Sequence, residues 1–174
     1  VKLKLSILAA AIAVIPAAAR ADFGIRAGAE ALLLTHDSNT GSRVFISDQS
    51  TVTFDVMGQF WLPGPLSFLS LDVEVGEAYN FKSNTRVGTT VRPGATLNLP
   101  LLPFYIRGAV PIKCEGEGPT IAGLRAGVGT YIGVPIVKLY LEADADFPLF
   151  GSTGAPDAFS RQDISVGGGI AFRF

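Results

Sequence analysis

A chain of 174 residues is the length of a single domain. It is 48% hydrophobic but only 17% charged, and its 14 basic and 15 acidic residues leave a formal net charge of −1. No basic stripe is present to hold a phosphate backbone, which argues against nucleic acid as a partner. Past the N-terminus no run reaches the roughly 18 apolar residues that a membrane-spanning helix requires, and the 20 glycines and 11 prolines spread along the chain oppose helix.

The first twenty-one residues read as a cleavable signal peptide. Lys2 and Lys4 form a basic start, Leu5 to Ile15 an apolar core, and Pro16 breaks it. Ala17-Ala18-Ala19-Arg20-Ala21 then supplies small residues at a cleavage site. Cleavage after Ala21 leaves residues 22–174 as one domain, with 11 basic against 15 acidic residues and a net charge of −4. A lone cysteine, Cys114, cannot form an internal disulfide.

From Phe23 onward apolar and polar residues alternate with period two, interrupted by turn signals, as in a membrane barrel. Eight strands are predicted. The first runs from about Phe23 to Thr35 and the second from Thr51 to Leu62; the third covers Ser67 to Phe81 and the fourth Thr85 to Leu99. The fifth is Phe104 to Lys113, the sixth Ile121 to Val134, the seventh Val137 to Phe147 and the eighth Arg161 to Phe174. Links after the second, fourth and sixth strands are short and proline-rich: Pro63-Gly64-Pro65, Pro100 to Pro103, and Pro135. Links after the odd strands are more polar, and two are long, Thr35 to Ser50 and Pro148 to Ser160. Short periplasmic turns and longer external loops give this asymmetry, with both termini periplasmic.

The distribution of charge decides between a soluble and a membrane barrel. One face of every strand is apolar and nearly free of charge along its centre, and ten residues tilted by about 45° span roughly 23 Å, close to an outer-membrane apolar band. Phe23, Phe60, Phe104, Phe172 and Phe174 would lie at one interface, and Phe54, Tyr79, Phe81 and Phe147 at the other. The opposite face must then point into a narrow lumen. Arg26, Glu30, Asp55, Asp72 and Glu74 come from the first three strands; Arg86, Arg92, Arg107, Lys113 and Arg125 come from the next three. Glu142, Asp144 and Asp146 lie beside Lys138 on the seventh, and Asp163 on the eighth. An eight-stranded barrel is just wide enough for side chains to fill it, and an unpaired buried charge is costly. A salt-bridged plug is therefore expected, with Asp72 beside Arg92 and Asp146 or Asp144 beside Arg125. Gly127 and Gly129 would leave room for long side chains from across the lumen.

The last strand, Ile164-Ser165-Val166-Gly167-Gly168-Gly169-Ile170-Ala171-Phe172-Arg173-Phe174, alternates apolar residues and ends on phenylalanine. It resembles the C-terminal strand that bacterial outer-membrane proteins present to the barrel-assembly machinery, with Ile170, Phe172 and Phe174 as the assembly signal. The mature chain as a whole resembles the small OmpA/OmpX-like eight-stranded barrels. That resemblance implies an all-β up-and-down transmembrane barrel in the outer membrane of a Gram-negative cell, bathed in outer-membrane lipid. Such barrels include adhesins, structural proteins and a few lipid-modifying enzymes, so the resemblance fixes place better than role.

Three functions follow as alternatives: a non-enzymatic structural or loop-presenting protein with an external ligand or surface partner, a narrow passive pore, and a lipid-modifying enzyme. The first is the expectation, without catalytic residues, cofactor or metal. His36-Asp37-Ser38 resembles the His-x-Ser pair of outer-membrane lipid A deacylases, but it lies in a loop mouth rather than on a lipid-facing strand. The ladder Glu142, Asp144, Asp146 occupies successive inward positions about 6.6 Å apart, too far for a compact Ca²⁺ site without other strands. Gly167-Gly168-Gly169 lacks the lysine and helix of a phosphate loop and serves barrel closure instead.

Overall fold

The computed structural model describes residues 22–45, 51–114, 120–134, 136–152 and 156–174. The expected signal peptide, the turn residue Pro135 and parts of both long loops lie outside them. The strands in chain order are β1 (Phe23–Asp37), β2 (Ser42–Phe45), β3 (Thr51–Trp61), β4 (Leu69–Asn80), β5 (Thr85–Asn98), β6 (Phe104–Ala109), β7 (Ile112–Cys114), β8 (Thr120–Gly133), β9 (Val137–Gly151) and β10 (Arg161–Arg173). Each barrel strand pairs antiparallel with its neighbour in sequence, and β10 pairs with β1 from Gly24↔Arg173 to Asp37↔Arg161. The sheet is a closed eight-stranded barrel.

Two details depart from simple alternation. The expected fifth strand is split into β6 and β7 at Val110-Pro111, because Pro111 has no N–H to give the ladder. Pairing survives the break through Val110 N–H to the Pro93 carbonyl (2.9 Å) and Gly123 N–H to the Pro111 carbonyl (3.0 Å). The long loop after the first strand also begins with structure: β2 folds back on the end of β1, from Leu34↔Phe45 to Asp37↔Ser42. Its turn is held by the Asp37 carboxylate, which accepts from the Asn39 and Thr40 amides (2.8 and 3.2 Å), and by Gly41 at φ +68°.

The closing seam requires glycine. A side chain at Gly169 would place its Cβ 2.1 Å from the Ala27 carbonyl oxygen, so β10 reaches β1 only because that position is bare.

Apolar side chains cover the outside and polar ones the inside. Val56, Leu71, Val73, Ile106, Val128, Leu139, Leu141 and Ile170 are exposed, whereas Arg26, Asp72, Glu74, Arg92, Arg107, Arg125, Glu142 and Asp146 are buried. This is the reverse of a water-soluble barrel. Aromatic rings cluster at both ends. Phe23 packs against Phe60 (5.3 Å between centroids) and Phe174 (6.3 Å) at the turn end. Phe81 packs against Tyr79 (5.1 Å) and Phe54 (6.2 Å) at the loop end. Ile170, Phe172 and Phe174 of the last strand all face outward and are exposed.

A closed barrel held by a continuous ladder resists detergent until heated. Folded protein in detergent is therefore expected to migrate differently before and after boiling and to show β-type circular dichroism. A helical spectrum with a single migrating species would contradict the fold.

Candidate functional site: a charged plug beneath a vestibule

The lumen is filled by layers of inward side chains, each placed by the period-two alternation of its strand. At the turn end Trp61 (β3) closes the floor, with the Arg173 guanidinium 4.5 Å from its ring centroid and Arg173 paired to Asp22. Gly24 faces Trp61, and a Cβ there would lie 2.7 Å from the indole. Above it Arg26 (β1) sits among three tyrosines, its guanidinium carbon 3.8 Å from the Tyr140 ring centroid, 5.4 Å from Tyr105 and 5.9 Å from Tyr131. Arg26 Nη2 donates to Glu142 Oε2 at 2.6 Å, and the Tyr105 hydroxyl donates to the same oxygen at 2.5 Å.

Arg107 (β6) occupies the centre and is fully buried. Its Nε and Nη2 both donate to Asp72 Oδ1 (3.0 and 2.8 Å), and Nη1 donates to Glu74 Oε2 (2.6 Å). The second Asp72 oxygen accepts from Thr96 at 2.8 Å. Arg92 (β5) pairs with Glu74 and lies 3.4 Å from Glu30. Arg125 (β8) is doubly bidentate: it holds Asp146 through Nε and Nη2 (3.0 and 2.5 Å) and Glu30 through Nη1 and Nη2 (2.7 and 2.9 Å). Asp55 accepts from the Tyr140 hydroxyl at 3.1 Å. Bidentate guanidinium–carboxylate contacts of this kind are the strongest protein hydrogen bonds.

Of the residues predicted for the lumen, eleven meet in this plug: Arg26, Glu30, Asp55, Asp72, Glu74, Arg92, Arg107, Arg125, Glu142, Asp144 and Asp146. Three stand apart. Arg86 is on the outer face, where it pairs with Glu77 and donates to Thr89 (2.5 Å). The cause is a bulge: Ala78 pairs with Gly88 but Tyr79 with Arg86, so Val87 is an extra residue that reverses the alternation beyond it. Lys113 and Asp163 line the loop-end mouth instead of the plug. Asp163 accepts from Thr35 and Arg161, both at 2.8 Å, and Lys113 has no ion pair within 4.0 Å among the described residues.

Partners also differ from expectation at Asp72. Glu74, not Asp72, is opposite Arg92; the four-residue turn Phe81–Asn84 and the extra Val87 slide the pairing by two residues. Asp72 lies opposite Gly94, and that gap lets Arg107 reach it across β5. Arg125 and Asp146 are direct register partners.

The inward tyrosines Tyr105, Tyr131 and Tyr140, with Gln59, Thr96 and Trp61, complete the plug. Their polar tips read as ordinary inward residues in the sequence. For Tyr140 and Tyr105 a usable clue was the facing glycine: a Cβ at Gly28 would meet the Tyr140 hydroxyl at 2.0 Å, and one at Gly129 the Tyr105 ring at 2.2 Å.

Above the plug a cavity of about 240 Å³ opens at the loop end, lined by Glu30, Arg92, Lys113, Asp146, Asp163 and Ser165 among others. His36 lies beside this mouth but is not joined to Ser38. Its Nδ1 contacts the Ser42 carbonyl at 3.2 Å, and the Ser38 hydroxyl donates to the Phe159 carbonyl at 3.5 Å.

No protein-family model matches the chain, and no curated protein matches it in sequence. Among solved structures, Neisserial surface protein A superposes with a TM-score of 0.57 at 14% identity, covering 87% of this chain and 97% of that one. The fold is that of the outer-membrane eight-stranded barrels. A de novo designed transmembrane β-barrel aligns over 87% of this chain and 95% of its own, with a TM-score of 0.44 and 12% identity.

Removing the central cation leaves buried Asp72 without a cation and Glu74 with Arg92 alone. Arg107→Ala is expected to lower the stability of the folded barrel by about 3–5 kcal/mol. Arg161→Ala, at an exposed pair, should cost about 0–1 kcal/mol. Denaturant titration followed by the heat-modifiable band measures both, and equal losses would refute a central role for Arg107. Gly129→Ala is expected to cost about 1–3 kcal/mol through overlap with the Tyr105 ring and the Leu141 carbonyl oxygen; the increment should be smaller in a Tyr105→Ala background, which removes the first overlap only.

Proposed function

We propose that the chain is a non-enzymatic integral outer-membrane protein whose lumen is sealed, acting structurally or through the surface at its loop end. The observation that carries this reading is the inversion of polarity. An aliphatic belt ringed by aromatics surrounds a lumen packed with bidentate salt bridges, an arrangement stable with lipid outside. In this reading the short turns and both termini face the periplasm, and the loops and vestibule face outward. The assembly machinery reads Ile170, Phe172 and Phe174 during insertion. The partner is an external ligand or surface met at the loop end.

The passive-pore reading draws support from the vestibule, which enters the barrel from one end. Against it stands the floor of that vestibule, where Arg92 and Arg125 lock Glu30, Glu74 and Asp146. The lipid-enzyme reading needs an activated nucleophile, and the hydrogen bonds of His36 and Ser38 run to separate backbone carbonyls.

Planar-bilayer recordings of purified protein are expected to show no discrete conductance steps. Regular steps of one size would replace the sealed barrel with the pore. His36→Ala is expected to leave cellular lipid A unchanged by mass spectrometry; an altered acyl pattern would move the reading to an enzyme.

A further inference from the structure

The plug brings seven carboxyls against four guanidiniums, and the excess is not spread evenly. Glu30, Asp72, Glu74, Glu142 and Asp146 each have an arginine nitrogen within 3.0 Å or closer. Asp55 and Asp144 do not: Asp55 accepts instead from the Tyr140 hydroxyl at 3.1 Å, whereas Arg125 Nη1 is 3.7 Å from Oδ2 of Asp144. The environment of Asp144 is the more restricted. Its Oδ1 is shut off from solvent and meets no donor.

Its neighbour on the inward face of β9 is another carboxyl, Glu142, and one oxygen of each faces the same bare position. Gly127, opposite Asp144 on β8, makes the approach possible. The point where its Cβ would stand is 2.3 Å from Asp144 Oδ1 and 3.3 Å from Glu142 Oε1. The other surroundings of Asp144 offer little help. Ser165 is opposite on β10 but its hydroxyl makes no hydrogen bond, and Arg125 spends its close contacts on Asp146 and Glu30.

Two ionised carboxylates have only acceptors to present to each other, and burial leaves no water to intervene. We propose that Asp144 and Glu142 form a proton-binding site, with the proton on Asp144 Oδ1 and donated to Glu142 Oε1. Glu142 is the carboxylate of the pair because its other oxygen already accepts from Arg26 and Tyr105. The proton comes from solvent as the lumen closes, so one negative charge is removed from the plug and no bond other than O–H forms.

Infrared spectroscopy of the full folded barrel in detergent at neutral pH tests this. A protonated carboxylic acid carbonyl band, separate from the carboxylate bands and shifted in deuterated buffer, is expected. Asp144→Asn, which keeps a donor toward Glu142, should fold and lose that band. Glu142→Gln removes the neighbouring charge and offers Asp144 an amide donor, so it should also lose or weaken the band; this tests the pair if the first variant fails to insert, and an undiminished band there overturns the proposal as well. Folded wild-type protein without an acid band, or a band undiminished in Asp144→Asn, overturns the proposal.

Discussion

Eight strands close around a lumen with room for side chains and little else, and the sequence sends charged ones into it. Everything else about the molecule follows from having to satisfy those charges without bulk water. A guanidinium presents five donors in a plane, which is why four arginines can organise so many carboxyls. Arg107 alone joins Asp72 to Glu74, and Arg125 joins Glu30 to Asp146 across strands that are distant in sequence. Lysine offers a single point of charge and could not tie β1 to β9 in this way. The lumen's lysines are consistent with that difference, since Lys113 is at the mouth and Lys138 lies by the Tyr131 ring near the floor.

Filling a narrow cylinder also demands that large and small residues alternate around it. Three of the four inward aromatic rings are matched by a bare position on another strand: Trp61 by Gly24, Tyr140 by Gly28, Tyr105 by Gly129. Gly94 does the same for an ion pair, letting Arg107 pass over β5 to Asp72. The glycines therefore do two separate jobs. Some permit close approach of backbones, as Gly169 does at the seam, and others leave volume for a neighbour's side chain. Packing and electrostatics are thus coupled, because a methyl group at Gly94 or Gly127 would sit where a carboxylate must.

The strands and their faces were legible because period-two patterning needs only local information. Buried positions such as Asp72, Arg107 and Glu142 sit on the face their strand pattern assigns. What failed was whatever depends on counting through irregularities. One extra residue at Val87 moved Arg86 from the lumen to the outer surface, and with the turn before it slid Asp72 past Arg92. Nothing in Thr85-Arg86-Val87-Gly88 announces a bulge. Likewise Asp72 with Arg107 is a pairing across an intervening strand, and adjacent-strand register cannot find it. Arg125 with Asp146 was legible because those two residues are immediate partners on neighbouring strands.

The two ends of the barrel are not equivalent, and that difference bears on what the protein can recognise. At the turn end Trp61 lies under Arg173, Asp22 neutralises that arginine, and Phe23, Phe60 and Phe174 crowd the rim. A ligand arriving there meets that ion pair, apolar rings, and Lys138 beside the Tyr131 ring. At the loop end the vestibule ends on the upper surface of the plug, and Lys113 enters it without an ion-pair partner among the described residues. β2 extends the wall on that side, and the Asp163–Arg161 pair marks the rim. Because Glu30, Glu74 and Asp146 at the vestibule floor are each held by Arg92 or Arg125, that floor is fixed by direct ion pairs. Variation in recognition must then come from the loops above it, while the plug keeps the walls beneath in place.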